Sequence, residues 1–402
     1  MATERIVIVG AAAAGLAVAE AARSMGHQGE LVMIGDETHL PYDRPPLSKQ
    51  LLLGEWTTDR LALRGTDDLA RLGLELRLGV PADSLDTEAR EVVLATGDRL
   101  GYDALVVATG VRARWLPGTA NITGVHVLRD IADALALRER LVPAARLVVV
   151  GAGVLGAEAA AVAVQLGVVV TLVDPQPLPM ARVVGNEVGT LIAELHREHG
   201  VDLRCGVGVR RVCEHAGAVE SVLLDDGTDV PADVVLVAVG ATPAVEWLRG
   251  SASVSVGSSS PSDGAGGVLC APGGRAAERV YAAGDVAAWR DHNGDRYVRV
   301  EHRLNATEQG RAVARSILDP DAAYTPSIPY FWSDQYGLKL QSFGLPDPED
   351  EFVVVAGALE ERRFVGASVR DGVVTGALGI GMVRPLREWR NQIGKPVPAV
   401  TH

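Results

Sequence analysis

Cysteine and lysine are both scarce in this sequence of 402 residues. The three cysteines, Cys205, Cys213 and Cys270, are too few and too widely spaced for a disulfide framework, a structural zinc site or a Cys-x-x-Cys redox pair. This scarcity favours a reducing, cytoplasmic location. Only three of the 38 basic residues are lysines, so a lysine that lies in a motif needs a chemical reason.

Long apolar runs and an excess of positive charge are also absent. No segment approaches about 20 uninterrupted apolar residues, and the first residues lead into a strand pattern without the zones of a signal peptide. The net charge of −13 opposes bulk attraction to nucleic acid or to an anionic membrane. We therefore expect neither of these partners.

The chain repeats one pattern of strand, glycine turn and helix. RIVIVGAAAAG at 5–15 is matched by RLVVVGAGVLG at 146–156, and DALVVATG at 103–110 is matched by DVVLVAVG at 233–240. A chain of 402 residues has room for two or three domains. We predict an α/β fold with two tandem Rossmann-like dinucleotide-binding domains.

The second glycine turn carries a complete dinucleotide-binding motif, Gly151, Gly153 and Gly156. The first glycine permits a tight turn, the second lets a pyrophosphate approach the backbone, and the third lets helix and strand pack closely. Asp174 lies 18 residues beyond Gly156, where an acid is expected to bind the adenosine ribose. An acid there favours NADH over NADPH, because a 2′-phosphate would meet its negative charge.

The first glycine turn carries a weaker motif. It keeps Gly10 and Gly15 but has Ala12 in the place of the second glycine, and Asp36 follows the next predicted strand. Tandem dinucleotide sites in one chain suggest a tightly held FAD and a visiting nicotinamide cofactor. We therefore expect FAD at the first turn and NAD(H) at the second.

A third turn, Gly284-Asp285, follows a short predicted strand in ERVYAAGDVA at 278–287. An acid at such a turn, beside the start of a helix, is suited to hydrogen-bond the ribityl chain of FAD. Gly-Asp alone is only a turn signal, so both interpretations stay open on these residues.

Three longer segments are far more specific than the glycine motifs. PYDRPPLSK at 41–49, VEHRLNATEQG at 300–310 and PYFWSDQYGLKLQ at 329–341 closely resemble the NADH-dependent ferredoxin reductases of cytochrome P450 and ring-hydroxylating dioxygenase systems. The resemblance covers nearly the whole chain. It implies FAD and NADH as cofactors, a [2Fe–2S] ferredoxin as partner, and a C-terminal α+β domain after the two nucleotide-binding domains.

The resemblance also implies domain boundaries, because in that family the NAD-binding domain is inserted into a discontinuous FAD-binding domain. It places the FAD-binding domain at 1–113 and 244–325, the NAD-binding domain at 114–243 and the C-terminal domain at 326–402.

The same resemblance implies roles for single residues. Asp36 would hold the adenosine ribose of FAD, and Ala14 would lie against the pyrophosphate of FAD. The backbone of Ala82 would contact FAD near the adenine. Further positions implied in cofactor binding are Gly10, Gly15, Arg44, Thr109, Gly110, Arg129, Gly240, Gly284, Asp285 and Arg303. Lys49 and Trp332 would lie at the flavin ring. On the nicotinamide side the matching positions are Gly151, Gly153, Gly156, Glu158, Asp174 and Arg182.

We expect Lys49 and Glu158 to form an ion pair and, with Trp332, to act in catalysis. Lys49 offers a compact cation that approaches the reactive edge of a flavin without the bulk of a guanidinium group. Glu158 lies two residues past the last glycine of its motif, so we expect it on the first turn of the helix. The alternative is a surface lysine and an ordinary acid at a helix N-terminus.

The positions of the cysteines oppose a thiol relay. Relatives that reduce disulfides or peroxides need a cysteine beside the flavin or shortly after the first acid, and residues 36–60 contain none. Cys205 and Cys213 fall in strand-like stretches, and Cys270 precedes a Pro-Gly loop. We therefore expect NADH to give a hydride to FAD and the electrons to leave one at a time.

A ferredoxin of this type is usually acidic, so an acidic reductase needs a locally basic docking surface. The first candidates, on a predicted helix, are Arg303, Arg311 and Arg315. A second cluster near the C-terminus is Arg384, Arg387 and Arg390.

Two other functions stay open. One is direct reduction of a small acceptor, as in NADH oxidases and rubredoxin reductase-like enzymes, and the other is slow nicotinamide sensing, as in flavoproteins resembling apoptosis-inducing factor. A requirement for added ferredoxin in cytochrome c reduction would separate the favoured function from the first, and fast turnover would separate it from the second.

Overall fold

The computed structural model describes two compact units of the chain. The described residues are 3–251, 253–257, 266–290, 296–321 and 327–398. Unit 1 contains Met1–Asp43, Asp59–Arg112 and Ala241–Ser327, and unit 2 contains Arg44–Thr58, Ala113–Gly240 and Ile328–His402. Strands and helices are numbered along the chain.

Unit 1 is built on a six-stranded sheet. Its strands are β1 (Arg5–Val9), β2 (Glu30–Gly35), β3 (Leu74–Leu78), β7 (Ala104–Val107), β20 (Arg275–Ala277) and β21 (Val280–Ala282). They lie in the order β20-β21-β7-β1-β2-β3, and all neighbours except β20 and β21 are parallel. Ile6, Val7 and Ile8 are fully buried, as continuous β-branched runs predict for a parallel sheet covered on both faces.

Helices and smaller sheets complete unit 1. The helices are α1 (Ala13–Ser24), α3 (Thr66–Arg71) and α7 (Arg303–Leu318). One antiparallel sheet contains β4 (Ala82–Asp86), β5 (Glu91–Leu94) and β6 (Arg99–Gly101), and a mixed sheet contains β18 (Val256–Gly257), β19 (Gly267–Cys270), β22 (Ala287–Arg290) and β23 (Tyr297–Arg299). α1 and α7 pack closely, because a Cβ on Gly310 of α7 would lie 2.5 Å from the carbonyl oxygen of Ala14.

Unit 2 repeats the arrangement of unit 1. Its parallel strands are β9 (Val125–His126), β10 (Arg146–Val150), β11 (Val169–Asp174), β12 (Asp202–Cys205) and β16 (Val234–Val237), in the order β12-β11-β10-β16-β9. The run β16-β10-β11-β12 corresponds to β7-β1-β2-β3. A second antiparallel sheet, β13 (Val209–His215), β14 (Ala218–Leu224) and β15 (Asp229–Pro231), corresponds to β4-β5-β6. The predicted duplication is therefore confirmed.

The C-terminal part of unit 2 is an antiparallel sheet with one helix. Its strands are β24 (Tyr330–Gln335), β25 (Leu338–Gly344), β26 (Glu351–Ala358), β27 (Arg363–Arg370) and β28 (Val373–Ile380), in the order β24-β25-β28-β27-β26. The helices of unit 2 are α2 (Gln50–Leu53), α4 (Ile131–Arg140), α5 (Val154–Gln165), α6 (Ala181–Glu198) and α8 (Val383–Arg390). The short strands β8 (Val111–Ala113) and β17 (Ala241–Pro243) pair with each other. The predicted fold class, two Rossmann-like domains followed by an α+β domain, is confirmed.

The two units do not separate along all the predicted domain boundaries. Residues Arg44–Thr58 cluster with unit 2, although the predicted FAD-binding segment 1–113 includes them. Apart from a few residues at their boundaries, the predicted NAD-binding and C-terminal domains fall in one compact unit, unit 2. The division into three domains stays a prediction. Within the described ranges, no helix is long and apolar enough to cross a membrane.

An aspartate just before β7 binds the backbone at the start of β1. Oδ2 of Asp103 accepts hydrogen bonds from the backbone amides of Glu4 and Arg5, each at 2.9 Å. These bonds, that from Arg5 foremost, lower the pKa of Asp103. Asp233 does the same in the second copy, accepting from the amide of Arg146 at 2.8 Å. The duplication thus extends to the residue that fixes each strand before its glycine turn.

We expect Asp103→Asn to lower the thermal midpoint by about 2 °C at pH 7, because the amide replaces a charge that two backbone donors stabilise. The pKa of Asp103 in the folded protein lies below its unfolded value of about 3.9. The stability that the charged carboxylate contributes is therefore fully present above about pH 3.9 and is lost as the pH falls through the folded pKa. The deficit should therefore shrink near pH 3. Melting curves at both pH values, with Asp83→Asn at an exposed position as control, test this. An equal deficit at both would contradict it.

Candidate cofactor and electron-transfer site

The first glycine turn joins β1 to α1 and is tightly packed. Gly10 has a φ of +125°, and a Cβ on it would lie 2.1 Å from the carbonyl oxygen of Ala108. A Cβ on Gly15 would lie 2.2 Å from the carbonyl oxygen of Gly10, so the helix starts close to the strand. Ala12 is the N-cap with a φ of −136°, an extended conformation that any residue adopts. The turn therefore keeps a shape that fits a pyrophosphate at the helix N-terminus.

The second turn joins β10 to α5 and has one open position. Gly151 has a φ of +106°, and a Cβ on Gly156 would lie 1.9 Å from the carbonyl oxygen of Gly151. A Cβ on Gly153, in contrast, would meet no described atom within 4 Å. The backbone at Gly153 is thus open to a ligand, and this fits the close approach of a dinucleotide pyrophosphate.

The predicted ribose-binding acids lie at the ends of β2 and β11. Asp174 is the last residue of β11, and its two carboxylate oxygens accept from the amides of Ala152 and Gln176, both at 2.7 Å. The acid is therefore anchored to the glycine turn itself. Asp36 follows β2, and its Oδ2 lies 3.7 Å from Nη1 of Arg112. A carboxylate accepts about four hydrogen bonds, so both acids keep capacity for ribose hydroxyls.

Several other predicted cofactor positions carry defined contacts. Oγ1 of Thr109, just after β7, donates to the carbonyl of Ala244 at 2.7 Å. The amide of Gly284 donates to Oε1 of Gln309 at 2.8 Å. Asp285 follows, and β22 comes next along the chain. The turn nevertheless lies beside two helix starts, as expected, because a Cβ on Gly284 would lie 3.0 Å from Cβ of Ala14 in the first turn of α1 and 3.6 Å from Cβ of Ala306 in the first turn of α7.

The remaining predicted positions are spread over both units. In unit 2, Nη1 of Arg44 donates to the carbonyl of Arg129 at 2.7 Å, which ties two predicted positions together. Four more have simple placements: Ala14 is buried in the first turn of α1, Ala82 begins β4, Gly110 follows β7 with a φ of +68°, and Gly240 follows β16 with a φ of +95°. Arg182 is exposed near the start of α6.

The carboxylate of Glu158, on α5 in unit 2, is buried among hydrogen-bond donors. Its Oε2 lies 2.7 Å from Nζ of Lys49, so the predicted ion pair is present. Oγ of Ser48 donates to the same oxygen at 2.7 Å, and Oγ of Ser333 donates to Oε1 at 2.9 Å. Glu158 is 2% exposed and Lys49 is 8% exposed. A buried pair of charges is tolerated when further hydrogen bonds offset the loss of water, and the two serines supply them.

The position of Glu158 on its helix differs from the prediction. Gly153 is the N-cap and Val154 is the first helical residue, so Glu158 begins the second turn and not the first. The difference arises because the last glycine of the motif, Gly156, already lies inside the helix. This position brings the carboxylate of Glu158 into contact with the segment that carries Ser48 and Lys49 and with β24.

The ammonium group of Lys49 is only partly satisfied by the protein. It donates to Oε2 of Glu158 at 2.7 Å and to the carbonyl of Pro45 at 3.3 Å. Lysine has three N–H donors, so one is left for a ligand. A buried cation with a spare donor fits the electron-rich edge of a bound flavin.

Trp332 is the remaining residue predicted at the flavin ring, whereas the cysteines are predicted to take no part in electron transfer. Trp332 lies on β24, stacks on Tyr330 with ring centroids 5.9 Å apart, and has Nζ of Lys339 5.9 Å from its ring centroid.

Burial raises the pKa of Cys205 to about 11 and that of Cys270 to about 12. Both therefore remain thiols at neutral pH and are poor nucleophiles.

The candidate docking arginines differ in how strongly their charges are compensated. Arg303 forms an ion pair with Asp43 and donates to Oγ1 of Thr307 at 2.6 Å. Arg311 is 59% exposed and lies 2.9 Å from Glu308, and Arg315 is exposed on the same helix. Arg303 is therefore the least suited of the three to meet an acidic partner.

The second candidate cluster lies on α8 and also has mixed surroundings. Arg384 is 93% exposed with Nε 3.6 Å from Glu388, and the guanidinium of Arg390 lies 5.4 Å from the ring centroid of Phe343. Arg387 is exposed. An ion pair between two exposed side chains contributes little to stability. It therefore leaves much of the positive charge of the arginine available to an acidic partner.

Sequence reasoning missed Ser48, Ser333 and the pairing of Asp43 with Arg303. All of them lie inside the specific segments 41–49, 300–310 and 329–341. The available signal was proximity to residues already chosen: Ser48 precedes Lys49, and Ser333 follows Trp332.

Comparison with known families gives a match over most of the chain. A family model described as pyridine nucleotide-disulphide oxidoreductase matches residues 4–310, and one described as reductase C-terminal matches residues 330–400. The first alone covers more than half of the chain.

Relatives with assigned names agree with these matches. The chain is 36% identical to putidaredoxin reductase of Pseudomonas putida over 90% of this chain and 85% of that protein. It is 39% identical to the ferredoxin–NAD(+) reductase component of the anthranilate 1,2-dioxygenase system of Burkholderia cepacia, over 98% and 95%.

A solved structure agrees as well. The covalent complex of putidaredoxin reductase with putidaredoxin contains a chain that matches with a TM-score of 0.91 and 32% identity, over 99% of this chain and 94% of that one. The resemblance to NADH-dependent ferredoxin reductases is thereby confirmed. The chain belongs to the pyridine nucleotide-disulphide oxidoreductase family and ends in a reductase C-terminal domain.

Proposed function

We propose that this protein is an NADH-dependent ferredoxin reductase that supplies single electrons to a [2Fe–2S] ferredoxin of a P450 or dioxygenase system. FAD and NAD(H) are its cofactors. When bound, FAD accepts a hydride from NADH and releases the two electrons singly. The observation that carries the proposal is the buried pair of Lys49 and Glu158, in a chain with two dinucleotide turns and no low-pKa thiol among Cys205 and Cys270.

On the FAD side, the first glycine turn would bind the pyrophosphate at the N-terminus of α1. Asp36 would accept from the adenosine ribose, and Ala14, Ala82, Thr109, Gly110, Gly284 and Asp285 would line the cofactor, as the family resemblance implies. Lys49 would direct its spare N–H at the flavin and so favour negative charge there. Trp332 would cover the ring and keep water from it.

On the nicotinamide side, the second glycine turn would bind the pyrophosphate of NADH at Gly153. Asp174, anchored to the turn by the amide of Ala152, would accept from the adenosine ribose. Glu158 would hold Lys49 in place during hydride transfer from NADH to FAD. Arg182 would lie beside the bound NADH, as the family resemblance implies. No side chain needs to act as a nucleophile in this scheme.

The ferredoxin would dock on exposed arginines, of which Arg311 and Arg315 are the best suited. The side chain of Arg303, paired with Asp43, is only 24% exposed, whereas that of Arg311 is 59% exposed although it pairs with Glu308. The positive charge of Arg311 and Arg315 would attract an acidic partner to an otherwise acidic chain. A cytoplasmic location, favoured by the scarcity of cysteine, is part of the same proposal.

We expect NADH to reduce cytochrome c through this protein only when a [2Fe–2S] ferredoxin is added, whereas ferricyanide is reduced directly. Spectrophotometric assays with and without ferredoxin test the proposal. Fast cytochrome c reduction without it would favour a direct small-acceptor reductase, and slow flavin reduction by NADH would favour a nicotinamide sensor.

Charge reversal at Arg311 tests the docking surface within the same assay. Arg311→Glu should raise KM for ferredoxin about tenfold and leave ferricyanide reduction unchanged, because only the protein partner has to dock on this surface, whereas ferricyanide is small enough to react without it. Arg71→Glu is the matched control, since Arg71 is also exposed and also pairs with an acid three residues earlier, Asp68. Equal effects of both variants would argue against docking at Arg311.

A further inference from the structure

Two segments of unit 2 supply the donors that surround the carboxylate of Glu158. Lys49 and Ser48 approach Oε2 from the turn before α2, both at 2.7 Å. Oγ of Ser333 approaches Oε1 at 2.9 Å, and the amide of Asp334 lies 3.4 Å from the same oxygen. Both oxygens therefore have a fixed hydroxyl donor, and the carboxylate has one orientation in which all donors are satisfied.

The hydroxyl of Ser333 is itself oriented by a neighbour. Nε2 of Gln335 donates to Oγ of Ser333 at 3.0 Å and lies 3.2 Å from Sδ of Met180. Because Oγ accepts from Gln335, its single hydrogen is left for Glu158. Ser333 and Gln335 are both buried and share one face of β24, as the period of two along a strand requires.

Burial makes this arrangement consequential. Ser333 is 1% exposed, so water cannot replace its hydroxyl if the side chain is shortened. A buried acceptor that loses a partner keeps the whole cost of its lost hydration. The carboxylate of Glu158 would then carry less compensated negative charge and would be free to turn away from Lys49.

We propose that Ser333, with its hydroxyl oriented by Gln335, is a positioning residue for the ion pair of Lys49 and Glu158, and that Ser48 acts on the opposite oxygen. The inference rests on the proposed function, because the ion pair is assigned there to hydride transfer. It assigns a role to alternate residues of the FWSDQ segment at 331–335: Phe331 packs in the apolar core, whereas Ser333 and Gln335 serve the carboxylate.

Two consequences follow from the loss of this hydroxyl. Hydride transfer from NADH should slow, because the charge of Lys49 is no longer held in one place. The midpoint potential of the bound flavin should become more negative, because less compensated negative charge near the ring disfavours its reduction. A purely structural serine would affect unfolding and neither of these quantities.

The test compares Ser333→Ala with Ser342→Ala in the FAD-loaded protein. Ser342 is a matched control because it is equally buried, lies on the neighbouring strand β25, and has a hydroxyl without a partner among the described residues. Ser333→Ala should slow single-turnover flavin reduction by NADH about tenfold and lower the midpoint potential, while Ser342→Ala should leave both at the wild-type values. Thermal melting records the stability of each variant.

A second variant covers the case in which Ser333→Ala fails to fold. Gln335→Met removes the donor that orients Ser333 while keeping the length of the side chain, so it should shift rate and potential in the same direction by a smaller factor. Combined with Ser333→Ala it should add little, because both changes act through one hydroxyl. Wild-type rate and potential in Ser333→Ala, or full additivity of the two changes, would overturn the positioning role.

Failure of the proposed function would look different. In that case wild-type protein would not pass electrons from NADH to ferredoxin at all. The potential and the melting temperature would still be measurable, and a shift of the potential in Ser333→Ala alone would show the serine acting on the flavin's surroundings.

Discussion

Lys49→Met should slow flavin reduction by NADH at least about a hundredfold. The substitution keeps the length of the side chain but removes the buried cation, so the carboxylate of Glu158 loses its charged partner while both serines remain. Removing one member of a buried ion pair costs about 3–5 kcal/mol. Any part of this cost that is larger in the transition state than in the ground state raises the activation free energy of hydride transfer by the same amount. Anaerobic stopped-flow reduction, followed by the loss of flavin absorbance, measures the effect.

A double variant separates chemistry from stability in this experiment. Lys49→Met with Glu158→Gln removes both charges and leaves no unpaired ion, so it should recover most of the lost thermal stability. The rate should stay low, because the cation is still missing. Lys395→Met serves as control, since Lys395 is exposed in the C-terminal segment. Recovery of the rate together with the stability would show that Lys49 has only a structural role.

The glycine turns could be predicted from the sequence because their chemistry is local. Gly10 and Gly151 must adopt positive φ within a few residues of a strand end, and the β-branched runs before them are typical of buried parallel strands. The repeated order of strands in the two units follows from the repeated segments. Local patterns thus predicted the parts of the molecule in which neighbours along the chain are also neighbours in space.

The surroundings of Glu158 could not be predicted in the same way. Ser333 is 175 residues from Glu158 in the sequence, and Ser48 is 110 residues from it. Such contacts depend on how β24 packs against α5, which no short pattern encodes. The position of Glu158 within α5 was missed for a related reason: the N-cap falls at Gly153, inside the motif and not after it.

The pairing of Arg303 is a similar case. A helical pattern shows that Arg303, Arg311 and Arg315 belong to one helix, as the structure has it in α7. It does not show that Asp43, 260 residues earlier, pairs with the first of them. This pairing leaves the side chain of Arg303 only 24% exposed, so the more exposed Arg311 and Arg315 are the better candidates for docking.

NADH should reduce the flavin about a hundredfold more efficiently than NADPH, and Asp174 should be the cause. Its carboxylate is fixed by the amides of Ala152 and Gln176, so it cannot swing away from an added 2′-phosphate. Bringing two like charges together in a binding site costs several kcal/mol, and about 2.7 kcal/mol corresponds to a hundredfold. Stopped-flow reduction at a series of concentrations of each nucleotide gives the ratio.

Two substitutions at this position make the argument specific to charge. Asp174→Asn keeps the shape and one acceptor oxygen but removes the negative charge, so the preference for NADH should fall at least about tenfold. Asp174→Glu keeps the charge on a longer side chain and should retain most of the preference, although it strains the contact with Ala152. If NADPH reduces the wild-type flavin as efficiently as NADH, or if Asn and Glu variants discriminate equally, the ribose is recognised by another group. Because Asp174 binds the turn of its own motif, the loss of charge must also be compared with any loss of stability in melting curves.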